Sequence, residues 1–396
     1  LYGLTFAPVL TANEHAAFTD GYVAVNSAFA DAVAEEVEAR GGRALVMLQD
    51  YHFYLVAGDV RRRCPDALLS HFIHIPWPGP DSWRVLPPYM RERLLHGLLG
   101  SDVVAFHTER YARNFIHCVK ELLGLPVNLD ELSVEVDGRT VYAKHYPISV
   151  DPAALEAVAA GEDAALHAAT LTETYLADRE LEEGTDGGDR KLIVRVDRTD
   201  PSKNVVRGFL AFGALLDQHP ELAGKVSFLA LLQPSRTDVA EYSDYIATIG
   251  AVVAEINARH TRNGQQPIDL RMVEDFPLAV AAYSICDVLM VNALADGMNL
   301  VAKEVPVVNR RDGVLALSEN TGAHEELGAY AVTLYPFDIQ QMADALYEAL
   351  TMPQDKRAEL LAAAARQVRE NDVAAWLSAQ LRDLGDIRKD VQMPVA

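Results

Sequence analysis

Short apolar runs alternate with helical patterns along nearly the whole of this 396-residue chain, and that alternation decides the class of fold open to it. Val23, Ala28, Phe29, Val33 and Val37 recur at near-helical spacing over residues 20–40. Gly41-Gly42 stops that helix, and Ala44-Leu45-Val46-Met47-Leu48 follows as a run short enough for a buried strand. The alternation continues with a strand over 67–72, a helix over 89–99, a strand over 102–106 and a helix over 109–123. A second series places strands near 191–196, 226–232, 286–291, 314–317 and 331–334, with helical patterns between them. Strands joined through helices pair in parallel, and parallel sheets are covered by helices on both faces. The expectation is an α/β protein with doubly wound sheets.

The length exceeds that of a usual single core, so two domains of about 150 to 200 residues are expected. A polar, glycine-containing stretch at 176–190 divides a first domain, 1–175, from a second, 191–370. The amphipathic residues 371–386, with Trp376 and Leu377, are assigned as a last helix that crosses back to the first domain. The chain starts at Leu1 without a methionine, so the beginning of the first domain is expected to be missing.

A formal charge of -22 repels polyphosphate backbones and excludes wholesale nucleic-acid binding; an anionic ligand must be held by a few placed cations. Three cysteines, Cys64, Cys118 and Cys286, have no zinc-ligand spacing and an odd total, which fits a reducing cytoplasm better than a disulfide framework. No apolar run reaches the roughly 20 residues that span a bilayer, so no membrane partner is expected. A homo-oligomer is compatible with these residues, which do not dictate one.

In doubly wound sheets ligands bind beyond the carboxyl ends of strands, so the motifs that follow strands are the candidates, and the cleft between two such domains is their expected meeting place. Gln49-Asp50-Tyr51-His52 leaves the first strand. Asp50 there can accept sugar hydroxyls, or cap the next helix beside a packed His52. His71-Phe72-Ile73-His74-Ile75-Pro76-Trp77-Pro78 leaves the next, with the prolines fixing an extended turn around His74. No His-x-x-x-His or carboxylate cluster accompanies these histidines, so no metal is expected.

In the second domain, Arg198 and Lys203 flank a helix start within Asp197-Arg198-Thr199-Asp200-Pro201-Ser202-Lys203-Asn204. Free N–H groups and the positive dipole end favour a phosphate there, although both side chains also fit plain surface cations. Arg236 ends another strand in Gln233-Pro234-Ser235-Arg236, where a guanidinium can grip a phosphate. Asp296-Gly297-Met298-Asn299-Leu300-Val301-Ala302-Lys303-Glu304 follows a further strand. Gly297 permits close backbone approach, and Asp296 and Glu304 are expected two turns apart on one helix face, an arrangement that also fits a core-packed helix start.

Together these segments resemble the trehalose-6-phosphate synthase family, the retaining glycosyltransferases of family 20, in an actinobacterial-type branch. The likeness covers nearly the whole chain. It implies the GT-B fold, two facing Rossmann-like doubly wound domains with a cleft between them. It further implies that Arg198 and Lys203 hold the donor diphosphate, and that Asp296 with the Gly297, Met298, Asn299, Leu300 and Val301 segment binds the transferring glucose. Glu304 binds the donor ribose, His74 faces the donor sugar, Asp50 contacts acceptor hydroxyls, and Arg236 receives the acceptor's 6-phosphate. The implied catalytic set is Arg198, Lys203, His74 and Asp296. Such enzymes need neither a cofactor nor a metal, since the nucleotide sugar is a co-substrate, and no second carboxylate is placed for a glycosyl-enzyme intermediate.

Departures from the family pattern are Gln49 for His, Pro201 for Tyr, Asn204 for Gly and Ala295 for Arg. Some of them resemble validoxylamine-phosphate synthase, a relative that joins a cyclitol through nitrogen from a GDP-linked donor, but which carries Gln where this chain keeps Met298. The reading is glucosyl transfer from GDP-glucose, ahead of UDP-glucose, to glucose 6-phosphate. A pseudo-glycosyltransferase and a catalytically silent sugar-phosphate sensor are the alternatives.

Overall fold

The computed structural model describes residues 9–177 and 190–392. The chain divides into two compact units, Leu1–Ile148 with Ala375–Ala396, and Ser149–Ala374. The first unit therefore ends well before the boundary expected at residue 175. The cause is packing: helices Pro152–Ala159 and Glu162–Tyr175 lie against helix Phe276–Ile285 of the second unit. The Tyr175 hydroxyl bonds Asp269, and His167 Nε2 lies 3.5 Å from Asp275. Of the expected linker at 176–190, residues 178–189 lie outside the described residues.

The first unit is built on a six-stranded sheet in the order β1-β2-β3-β6-β5-β4. The strands are β1 (Leu45–Gln49), β2 (Leu68–Phe72), β3 (Val103–Phe106), β4 (Val127–Asn128), β5 (Ser133–Val136) and β6 (Arg139–His145). β1, β2, β3 and β6 are parallel, while β4, β5 and β6 pair antiparallel. The wholly parallel sheet expected from the sequence is thus mixed in this unit. The reason is local: Asp137 (φ 50°) and Gly138 (φ 74°) form a two-residue reversal that returns β5 directly into β6. Trp77, Leu95, Leu98, Phe106, Phe115 and Ile116 fill the core on one face. On another, Phe72, Val103, Ala105 and Tyr146 pack with Leu384 and Trp376 of helix Val373–Gln392, and the Tyr146 hydroxyl donates to Asp383 at 2.8 Å.

The second unit carries a six-stranded, all-parallel sheet in the order β12-β11-β10-β7-β8-β9. Its strands are β7 (Lys191–Arg198), β8 (Val226–Gln233), β9 (Ile268–Met272), β10 (Val288–Val291), β11 (Val314–Ser318) and β12 (Val332–Leu334). Counted within the unit this is the order 6-5-4-1-2-3, whose chain direction reverses between β7 and β10. Loops diverge at such a switch point and leave a crevice at the carboxyl ends of the two strands. Buried Phe209, Phe212, Phe228, Ile249, Met342 and Leu346 form the core. No described helix is long and apolar enough to cross a membrane. Cys64, Cys118 and Cys286 are buried free thiols.

Candidate active site

In the first unit the neighbouring ends of β1 and β2 bring Gln49, Asp50, His71 and His74 together. Asp50 has φ 63° and ψ -176°, a region almost reserved for glycine, and a non-glycine residue held there costs roughly 1–3 kcal/mol. Three bonds hold it. Its amide donates to Phe72 O at 2.7 Å, its carbonyl accepts from His71 Nε2 at 2.9 Å, and its Oδ1 accepts the His74 amide at 3.3 Å. The carboxylate makes no cap bond to the 3-10 turn Tyr51–Phe53, so the helix-capping alternative does not describe it.

His74 is half-buried, and its Nε2 lies 2.8 Å from Gln49 Oε1. Its ring packs against Phe72 and His107, with centroids 4.7 and 5.1 Å away. Burial lowers its pKa, and the Asp50 carboxylate partly opposes this. His52 points elsewhere, exposed and stacked on Tyr51 at 4.1 Å. His107 and Gln49 were not marked as site residues by the sequence reading. Their signal was position, each at or just past a strand's carboxyl end.

In the second unit, Arg198 is the last residue of β7. Its side chain is 52% exposed, with Nη2 3.8 Å from Asp200 Oδ2. Lys203 ends a 3-10 turn, Pro201–Lys203, capped by Asp200, whose Oδ1 accepts the Ser202 amide at 3.3 Å. Asn204 follows in the left-handed conformation, φ 59°, which glycine and asparagine tolerate best. Its side-chain Nδ2 donates to Asn292 O at 3.0 Å and Pro336 O at 2.6 Å. Both departures in this segment answer backbone demands: proline suits the first residue of a helical turn, and asparagine the left-handed one that follows.

Lys203 Nζ lies 2.5 Å from Asp296 Oδ2, which also accepts from Asn299 Nδ2 at 3.1 Å. Beneath them, fully buried Arg195 pairs with Asp197 at 2.8 Å and donates to the Lys203 carbonyl at 3.1 Å. Burial pushes the Asp197 carboxyl up, while Arg195 and Lys203 pull it down.

The segment after β10 differs from expectation. Its helix is Val301–Val308, so Asp296 stands in the preceding loop and does not share a helix face with Glu304. Asp296 is held by the loop after β11: its amide donates to Asn320 O at 3.2 Å and its carbonyl accepts from Gly322 N at 3.1 Å. That loop was missed by sequence reasoning. Met298 and Asn299 are buried, Leu300 is exposed, and Asn299 has φ 77°. No acceptor among the described residues takes the backbone N–H of Gly297, Met298, Asn299 or Leu300. Four such donors at a helix start suit the oxygens of an anion or a sugar. Glu304 stands in the first turn; burial raises its pKa, and the neighbouring Tyr283 hydroxyl partly opposes this.

Arg236 follows β8 with φ 50°. Its Nη1 donates to Tyr242 Oη at 3.0 Å, with the guanidinium 5.5 Å from the ring centroid. The structure thus brings together Lys203, Asp296, Gly297 and Asn299 in one unit, and Asp50 and His74 in the other. Among the described residues no group of three or more His, Cys, Asp or Glu side chains could hold a metal ion.

The glycosyltransferase family 20 profile matches residues 2–386. The chain belongs to glycosyltransferase family 20. Within the family it is similar to validamine 7-phosphate valienyltransferase of Streptomyces hygroscopicus subsp. jinggangensis, at 32% identity over 90% of this chain and 67% of that protein. It is also similar to the alpha,alpha-trehalose-phosphate synthase (UDP-forming) of Schizosaccharomyces pombe, at 34% identity over 85% of this chain and 63% of that one. The chain thus spans about two thirds of the length of these curated family 20 relatives. Among solved structures, the UDP-forming synthase from Burkholderia vietnamiensis superposes with a TM-score of 0.86 at 30% identity, covering all of this chain and 82% of that one. The Burkholderia xenovorans synthase in complex with glucose-6-phosphate gives 0.80 at 30% identity, covering 92% and 78%. The two Rossmann-like units are those of this family's GT-B structures.

Proposed function

We propose that this chain performs retaining glucosyl transfer, moving glucose from a nucleoside-diphosphate donor to glucose 6-phosphate to give α,α-trehalose 6-phosphate. The observation that supports this most is the meeting of Lys203 and Asp296 at the switch point of the second sheet, beside a run of four backbone donors. A cation there suits a diphosphate, and a carboxylate with amides suits sugar hydroxyls.

In the proposed reaction Arg198 and Lys203 hold the donor diphosphate. Asp296 and the backbone of Gly297, Met298, Asn299, Leu300 and Val301 hold the glucose, Glu304 holds the ribose, and His74 faces the sugar. Asp50 binds acceptor hydroxyls and Arg236 the acceptor phosphate. The donor's C1–O bond breaks and the acceptor oxygen bonds C1 from the same face. The acceptor's proton passes to the departing phosphate oxygen, whose charge Arg198 and Lys203 stabilise. No cofactor or metal enters the scheme, and the free thiols suit a reducing cytoplasm.

GDP-glucose is the proposed donor, from the departures shared with validoxylamine-phosphate synthase, whereas the similar Schizosaccharomyces pombe synthase is named as UDP-forming. A second reading, transfer of a cyclitol unit to an amine, is favoured by the likeness to the valienyltransferase. Competition separates the two: glucose 6-phosphate should bind and be consumed in the presence of a nucleotide glucose. Consumption of only an aminocyclitol phosphate would replace the proposal with the second reading.

A further inference from the structure

Gln49 closes β1 and His74 follows β2, strands that run parallel with Gln49 opposite Phe72. From there Gln49 Oε1 reaches to 2.8 Å from His74 Nε2. The His74 backbone is fixed by its N–H donating to Asp50 Oδ1 at 3.3 Å, and its imidazole is flanked by the rings of Phe72 and His107. With the Gln49 amide oriented oxygen-first, as it stands here, that oxygen can only accept, and this arrangement places the proton on Nε2. In a neutral ring Nδ1 is then a lone-pair acceptor.

We propose that Gln49 is a positioning residue that holds His74 in its neutral Nε2–H tautomer, so that Nδ1 accepts a hydrogen bond from a hydroxyl of the transferred sugar. The inference rests on the reading of His74 as the residue facing that sugar. The ionisable groups around the ring are the Asp50 carboxylate and the His71 and His107 imidazoles. His71 is fully buried and pushed down to about 4, so it places no charge beside His74 at neutral pH. Among the described residues, Asp50 is the carboxylate that acts on the ring. A neutral amide at position 49 fixes the tautomer without adding a second anion that would draw the ring into its imidazolium form. An imidazolium has no acceptor nitrogen to offer.

The test reads the tautomer by NMR on full-length protein labelled with 13C and 15N at histidine, with the His74 signal assigned by its loss in His74→Gln. The wild type is expected to show a neutral Nε2–H ring. Gln49→Leu, similar in size but without the acceptor, is expected to mix the two tautomers. It should lower kcat about tenfold, the scale of one net hydrogen bond, with the acceptor KM unchanged. Gln49→Glu keeps the acceptor and adds a charge. It should restore the Nε2–H signal and raise the acid limb of the pH profile by about one unit, with turnover recovering above pH 8. An Nδ1–H ring in the wild type, an unchanged tautomer in Gln49→Leu, or a shifted tautomer with unchanged kcat would each overturn the proposal. The tautomer is read without substrate, so its failure is separate from any failure of glucosyl transfer itself.

Discussion

Lys203 Nζ and Asp296 Oδ2 stand 2.5 Å apart although 93 residues separate them in the chain. In the proposed reaction each partners a different part of the nucleotide sugar, and each is largely buried, with 16% and 19% of the side chain exposed. Lys203→Ala should therefore act twice. It should lower turnover by roughly 10²-fold through lost charge stabilisation, and cost about 1–3 kcal/mol of stability by leaving Asp296 with a weakened partner set. Arg198→Ala should match the loss of turnover, but its side chain is half exposed, so stability should change by no more than about 0.5 kcal/mol. Steady-state kinetics and urea midpoints check the pair. Near-normal turnover in both variants would place the diphosphate elsewhere.

Arg236 is exposed just past β8, where its guanidinium donates to the Tyr242 hydroxyl. If it receives the acceptor phosphate, Arg236→Ala should weaken glucose 6-phosphate binding by about tenfold or more and leave donor affinity within about twofold, since a charge-assisted bond contributes roughly 1.5–3 kcal/mol. Separate calorimetric titrations with each substrate read the difference. Equal losses for both would contradict the role.

Gly322 is indispensable for a steric reason. A Cβ built on it would meet the Gly297 carbonyl oxygen at 2.0 Å and its carbonyl carbon at 2.9 Å. Gly322→Ala must push the Asp296–Leu300 loop off the loop after β11, at a cost of about 1–3 kcal/mol. Donor affinity should fall with the melting temperature, while acceptor affinity is spared. An alanine variant with unchanged donor binding would show that the two loops do not need this contact.

His71 makes acid stability specific. Burial pushes its pKa from the ordinary 6.5 down to about 4, so the folded state prefers the neutral ring. The associated stability is fully present above pH 6.5 and is lost as pH falls through about 4, amounting to roughly 3 kcal/mol. Urea unfolding measured from pH 7 to pH 4 should show this loss, and His71→Phe should have a shallower slope over the same window. Parallel slopes would mean that His71 is protonated in the folded protein.

Continuous apolar runs such as Val288–Val291 and Val226–Gln233 were legible because both faces of those strands are covered by helices. β9, Ile-Asp-Leu-Arg-Met, was not, because as the last strand of its sheet it is half exposed and alternates with polar residues. The β5–β6 hairpin carried a local signal in Asp137-Gly138, obscured by the expectation of helix crossovers. At the site, strand-end positions identified Asp50, His74, Lys203 and Asp296 as candidates. Their partners were beyond reach: the Asp296 loop is fixed by Asn320 and Gly322, and Lys203 rests on Arg195 and Asp197, contacts that only the folded sheet creates. The helix expected to carry both Asp296 and Glu304 failed because Asp296 pairs with Thr321 as a short bridge and Asn299 takes φ 77°, so the helix starts only at Val301.

The central claim is tested most directly by incubating the full-length protein with glucose 6-phosphate and, in turn, GDP-glucose and UDP-glucose, and identifying the product by NMR. The expected product is a disaccharide phosphate with both anomeric centres α, formed faster from GDP-glucose. Absence of any disaccharide phosphate with every nucleotide sugar would contradict glucosyl transfer by this chain.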